Sequence, residues 1–143
     1  MNRIVLLAAS LLMVGFATSQ DEKPKGDLAL LQGAWQVWLN PDESVFIEVK
    51  GKTFAMSHQK AKVKTELSNG TLVFPEQAGA KALDWVEVKS SRGEAGPDNR
   101  CIYELHGDTW ILIGGGPDKR PDQFYSGAAD GNQTFVLKRV KMK

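Results

Sequence analysis

The side chains able to do acid–base, nucleophilic or metal chemistry are few in this sequence. Its histidines are His58 and His106, and Cys101 is its one cysteine. A nucleophile-based hydrolase needs a base oriented by an acid and in reach of a hydroxyl or thiol. His106 stands just before Gly107-Asp108, where a polar residue serves a hairpin turn, and His58 follows Phe54 and Met56 on one face of an alternating run, pointing into the fold or past its rim. The pair has neither His-x-His nor His-Glu-x-x-His spacing, and a single cysteine excludes thiol-clustered zinc. Carboxylates at Asp84, Glu87, Glu104 and Asp108 alternate as residues of solvated strand faces do. The Gly114-Gly115-Gly116 run leads into Pro117-Asp118 and not into a helix start carrying Lys-Ser or Lys-Thr, so it lacks the amide array of a phosphate cradle and reads as a loop rim. The expectation is a protein with no catalytic residues, no metal and no cofactor.

The chain has 143 residues, with 18 Lys and Arg against 17 Asp and Glu. That balance gives no electrostatic footprint for nucleic acid. Lys60, Lys62 and Lys64 alternate without stacking aromatics and read as a solvated strand edge. Cys101, between Arg100 and Ile102 in a strand-like run, reads as a small buried hydrophobe. Asn69-Gly70-Thr71 and Asn132-Gln133-Thr134 are formal glycosylation sequons, but both sit on turn signals that favour Asn for backbone reasons.

The N-terminus reads as a secretory leader. Arg3 precedes a small and apolar run from Ile4 to Ala17, about 14 residues, which is within the range of a signal peptide core and short of the roughly 20 needed to span a bilayer. Ala17 and Ser19 supply small side chains for peptidase recognition, and Asp21-Glu22-Lys23 follows. The expected organisation is a signal peptide over 1–19, a polar tether over 20–27 and one domain over 28–143. No cysteine near the cleavage site offers a lipid acceptor, so the mature chain is expected to be soluble, secreted or otherwise extracytoplasmic, with no stable membrane insertion. Loss of Arg3 with the leader brings the formal charge to zero.

The elements that must position these residues are short and repeat with period two. Asp27 is placed to cap a helical turn over Leu28–Gln32. Strand-like runs follow from Gly33 onward, separated by Asn40-Pro41-Asp42, Lys50-Gly51-Lys52, Asn69-Gly70, His106-Gly107-Asp108 and Asp130-Gly131. Asn69-Gly70 is the strongest hairpin signal by type, with Thr71–Phe74 as its return strand. A further short strand is expected over Gln123–Ser126, and a last one from Thr134 to about Val140. Eight to ten short strands with no room for an interior helix specify an all-β fold. A meander of this kind has two free edges, and pairing the first strand with the last removes both, which favours a closed antiparallel barrel.

Leu31-Gln32-Gly33-Ala34-Trp35-Gln36-Val37 resembles the Gly-x-Trp opening strand of lipocalin-like proteins, and Arg139 matches the basic residue that lies over that tryptophan. Ile102-Tyr103-Glu104-Leu105-His106-Gly107-Asp108-Thr109-Trp110, then Arg120-Pro121-Asp122-Gln123-Phe124 and Phe135-Val136-Leu137-Lys138-Arg139, resemble in order and spacing a secreted lipocalin-like domain family abundant in planctomycete bacteria. Many of its members carry a cysteine in the strand after the Gly-Asp turn, where this chain reads Ile111-Leu112-Ile113-Gly114. The family has no assigned activity, so the resemblance implies fold and export only.

The barrel lining is then expected from Trp35, Phe54, Met56, Trp85, Tyr103, Trp110, Phe124 and Phe135. A barrel of eight strands is just wide enough to be filled by side chains or to hold one small apolar ligand, and this set leaves both open. Three roles fit such a chain: a non-enzymatic ligand carrier, an inhibitor or docking partner of another exported protein acting through the Gly114–Asp122 loop with Lys119, Arg120 and Pro121 at its tip, and a structural module of the cell envelope.

Overall fold

The computed structural model describes residues 23–124 and 134–141. A single helical turn, α1 (Asp27–Leu31), precedes β1 (Gly33–Asn40), β2 (Glu43–Lys50), β3 (Thr53–Lys60), β4 (Val63–Val73), β5 (Lys81–Ser90), β6 (Asn99–His106), β7 (Thr109–Gly114) and β8 (Thr134–Arg139). The strands pair antiparallel in sequence order, and β1 with β8 closes the barrel. No helix among the described residues is long and apolar enough to cross a membrane. The expected leader, Asn132 and Gln133 of the second sequon, the Asp130-Gly131 turn and the end of the Gln123–Ser126 run lie outside the described residues; Gln123 and Phe124 themselves are not in a strand.

The count falls at the lower end of the expected eight to ten, partly because the Asn69-Gly70 signal is not a turn. Both residues lie inside β4, opposite Ala55 and Phe54. A β-carbon on Gly70 would fall 2.8 Å from the Val86 carbonyl oxygen and 2.9 Å from the Phe54 ring, so glycine is there for close approach and not for a reversal. The actual turn is Ala61-Lys62, between the paired residues Lys60 and Val63, with φ of 47° and 67°. Positive φ at both central positions is the two-residue turn that matches strand twist. Packing of Gly70 under Phe54 fixes the register and forces the reversal onto two residues with no intrinsic preference for it. Consequently Lys60, Lys62 and Lys64 do not share a strand face: they lie in β3, the turn and β4.

One face of the sheet forms a continuous apolar interior that includes Trp35, Ile47, Val49, Phe54, Leu72, Leu83, Trp85, Cys101, Tyr103, Trp110, Leu112 and Leu137. A second, smaller buried set lies on the opposite face. Ala82, Ile102 and Ile113 are paired side by side across β5, β6 and β7 and are at most 3 % exposed.

The end of the barrel where β1 begins is sealed by α1, whose Leu31 is fully buried. Trp35 donates its indole N–H to the Leu31 carbonyl at 2.8 Å. Arg139, opposite Trp35 in the β1–β8 pairing, stacks its guanidinium 4.2 Å from the Trp35 ring centre. It also donates to the carbonyls of Leu30 at 2.6 Å and Gln32 at 2.8 Å and to Asp108 at 2.9 Å. The expected tryptophan–arginine pair is therefore present, and it ties the first strand, the last strand, α1 and the β6–β7 turn together.

Arg139→Ala removes hydrogen bonds from a charged donor and a cation–π contact at once. It is expected to cost about 2–4 kcal/mol, read as a lowered urea midpoint. Arg139→Lys recovers less than half of the loss, because an ammonium cannot stack and fork in the same way.

Candidate functional site

The aromatic set expected to line the barrel is mostly brought together, and it fills the interior. Trp110 meets Trp35 edge-on at 5.7 Å and lies parallel to Trp85 at 6.0 Å, and Trp85 meets Phe54 edge-on at 4.4 Å. Trp35, Phe54, Trp85, Tyr103 and Trp110 are each at most 4 % exposed. Met56 and Phe135 pack on this core from its partly buried margin, whereas Phe124 is only half-buried and falls outside it. Three indoles and a phenyl ring in contact occupy the volume that a ligand would need. The two best-formed clefts both lie away from this cluster.

The groups able to do chemistry are held apart. His58 lies near the end of β3 away from α1, its Nε2 at 3.6 Å from Glu43, which also pairs with Lys60 at 2.6 Å. His106 lies at the opposite end, 3.0 Å from Glu104. Asp84 is taken by Arg120, Asp108 by Arg139, and Glu87 accepts from the Thr71 hydroxyl. Among the described residues no three metal-ligating side chains converge.

Gly114 and Gly115 answer packing demands, and Gly116 a backbone one, at φ 81°. A β-carbon on Gly114 would meet the Asn99 amide at 2.6 Å, and one on Gly115 would collide with the Lys119 carbonyl and with Pro121 at 2.8 Å. The Gly116 N–H donates to Asn99 Oδ1 at 2.8 Å. The loop they begin does not project. Arg120 forks onto Asp84 at 2.6 and 3.1 Å and donates to the Cys101 carbonyl at 2.7 Å, and Pro121 is buried. Of the expected docking tip, only Lys119 remains at the surface. Arg120 and Pro121 instead fasten the loop to the outer face of the barrel, the face that carries Ala82, Ile102 and Ile113.

The better formed of these two clefts lies at the α1 end. It measures about 1520 Å³ and runs between the tether, the β2–β3 turn and the β4–β5 loop. Leu28, Phe74, Pro75, Ala82 and Tyr103 supply its apolar surface, and Lys23, Lys25, Lys50, Lys52 and Lys81 line it. Phe74 packs edge-on against Tyr103 at 5.8 Å. Beside them Asp27 accepts from the Tyr103 hydroxyl at 2.8 Å and from Lys81 at 2.7 Å. Asp27 therefore does not cap α1 as expected: the N-cap is Gly26, with no side-chain cap, and Asp27 spends its carboxylate on the barrel. The Lys81 bond, and then the Tyr103 bond, hold the Asp27 carboxyl below its ordinary 3.8. Burial, reinforced by Asp27, pushes the Tyr103 phenol up. Of the cleft's residues, only Tyr103 belongs to the set expected from the sequence. In the sequence Phe74 reads as the end of a return strand, and the lysines come from segments that are far apart in the chain.

Asp27 has a depressed folded pKa, so its stabilisation is complete above pH 3.8 and is lost as pH falls through the folded value. The difference in urea midpoint between the native chain and Asp27→Asn should shrink as pH is lowered from 7 to below that range. Burial pushes the Cys101 thiol up to about 12 from an ordinary 9.0. Since the thiolate is the nucleophile, Ellman's reagent at pH 8 should leave the native chain unmodified and titrate one thiol in urea.

Compared with protein-family models, curated proteins and solved structures, the chain matches none of them.

Proposed function

We propose that the chain is an exported, non-enzymatic lipocalin-like barrel that binds a small ligand at its α1 end and not inside the barrel. The observation that carries this reading is the cleft of about 1520 Å³ walled by Leu28, Phe74, Pro75 and Tyr103, set against an interior closed by contacting indoles. Ligand sites combine concave apolar surface with a few placed polar groups, and this cleft offers both. The non-enzymatic part is supported by carboxylates and histidines that are each engaged separately. Export is supported by the apolar leader and the small residues before Gln20.

The neutral probe N-phenyl-1-naphthylamine tests the reading. Saturable fluorescence enhancement by the folded chain is expected, with affinity lowered about tenfold or more by Phe74→Ser, a loss of about 1.4 kcal/mol or more. Near-ultraviolet circular dichroism checks that the barrel is intact. Absence of saturable binding, or equal binding by the variant, would overturn the cleft as the site.

A further inference from the structure

The chain as a whole is nearly balanced in charge, but the cleft is not. Five lysines line it against two carboxylates, Asp27 and Glu76. One lysine, Lys81, is already neutralised by Asp27 at 2.7 Å. Lys23, Lys25, Lys50 and Lys52 have no ion pair among the described residues. By contrast, the smaller cleft of about 390 Å³ at Gly70 has one charge of each sign, Glu87 and Lys89.

Like charges gathered around a concave, low-dielectric surface focus a positive potential into it. Unpaired ammonium groups on separate segments repel one another, and an anion placed among them removes that repulsion while gaining charge-assisted hydrogen bonds. The wall beneath them is aromatic and aliphatic. A ligand that satisfies both must have an apolar body and an acidic head.

We infer that the cleft at the α1 end selects small amphipathic anions, with a carboxylate, sulfonate or phosphate held by Lys23, Lys25, Lys50 and Lys52 and an apolar body against Phe74 and Tyr103. This deepens the reading of the cleft as a binding site and rests on it. Lysines suit a variety of acidic heads, since the ammonium acts as a point charge and does not impose the planar fork of arginine. The cleft therefore discriminates by charge and amphipathicity, and not by the geometry of one acid.

The test compares 1-anilinonaphthalene-8-sulfonate with N-phenyl-1-naphthylamine, which share the aromatic body and differ in the sulfonate. On the mature chain the sulfonate should bind about tenfold or more tightly. Lys50→Gln with Lys52→Gln, both exposed positions, should lower sulfonate affinity about three- to tenfold and leave the neutral probe unchanged. Raising salt from about 0.05 to about 0.5 M should weaken only the sulfonate, since screening acts on the charged partner. Equal affinity for the two probes, or a sulfonate affinity insensitive to both the lysine variant and salt, overturns the anion selectivity while leaving the cleft as a site. Failure of both probes removes the cleft and the selectivity together.

Discussion

The stacking of Arg139 on Trp35 is the interaction on which the rest of the structure depends. It lies where the last strand meets the first, and that seam is short: β1 and β8 pair in register only at Trp35–Arg139 and Gln36–Lys138. A seam of two register pairs closes a barrel only if side chains hold it. The guanidinium does this by serving four segments from one position, with its face on the indole and its N–H groups on two carbonyls flanking the end of α1 and on Asp108. The carbonyls at the end of a helical turn carry partial negative charge and lack internal partners, so a cation there both satisfies and orients them. Closure of the barrel and capping of its end are in this way one event.

Capping by α1 is also what creates the cleft. Because α1 is bound across the barrel end through Leu31, Trp35 and Arg139, the tether before it must leave along the outside, past the β4–β5 loop. Asp27 fixes the angle, reaching Tyr103 on β6 and Lys81 on β5. Gln32 fixes the other side: its side chain donates to the Gly51 carbonyl at 3.0 Å and accepts from the Gly51 N–H at 2.7 Å. The β2–β3 turn and its lysines are thus held to the end of α1, while the tether and Lys81 are held to its beginning. The cleft is the space between two sets of bonds made by the same helical turn.

The fold was legible in the sequence because period-two alternation and turn residues are local signals, and Trp35 and Arg139 were legible as a pair because both ends of the barrel sequence carry them. The reversal at Ala61-Lys62 was not. Nothing in those two residues favours positive φ, and the decisive fact is that Gly70 lies under Phe54 and beside Val86, a contact between three strands. Arg120 misled for a related reason. A charged residue after a glycine run reads as a loop tip until Asp84 is seen across from it. The cleft was hidden more deeply, since its lysines come from the tether, the β2–β3 turn and the start of β5, and a balanced total charge conceals how they are grouped.

The filled interior explains why a site should lie at the barrel end. Each of the three buried indoles is a large single contribution, since a large aromatic removes roughly 150–250 Å² from water, worth about 4–6 kcal/mol at 25 cal/mol per Å². That arrangement has a cost visible in the structure. The indole N–H groups of Trp85 and Trp110 are buried with no hydrogen-bond partner among the described residues, and each such orphan costs about 1–3 kcal/mol. The Cys101 sulfur lies near enough to Trp85 to influence the thiol, but sulfur is a weak acceptor. Trp35, by contrast, has its N–H satisfied by the turn that closes the barrel. Burial of the stacked pair exceeds the penalty of both orphans, and opening the interior for a ligand would forfeit that burial. At the α1 end a ligand displaces only solvent and touches Phe74, whose packing on Tyr103 is already partly exposed. The proposed binding there would leave the core untouched.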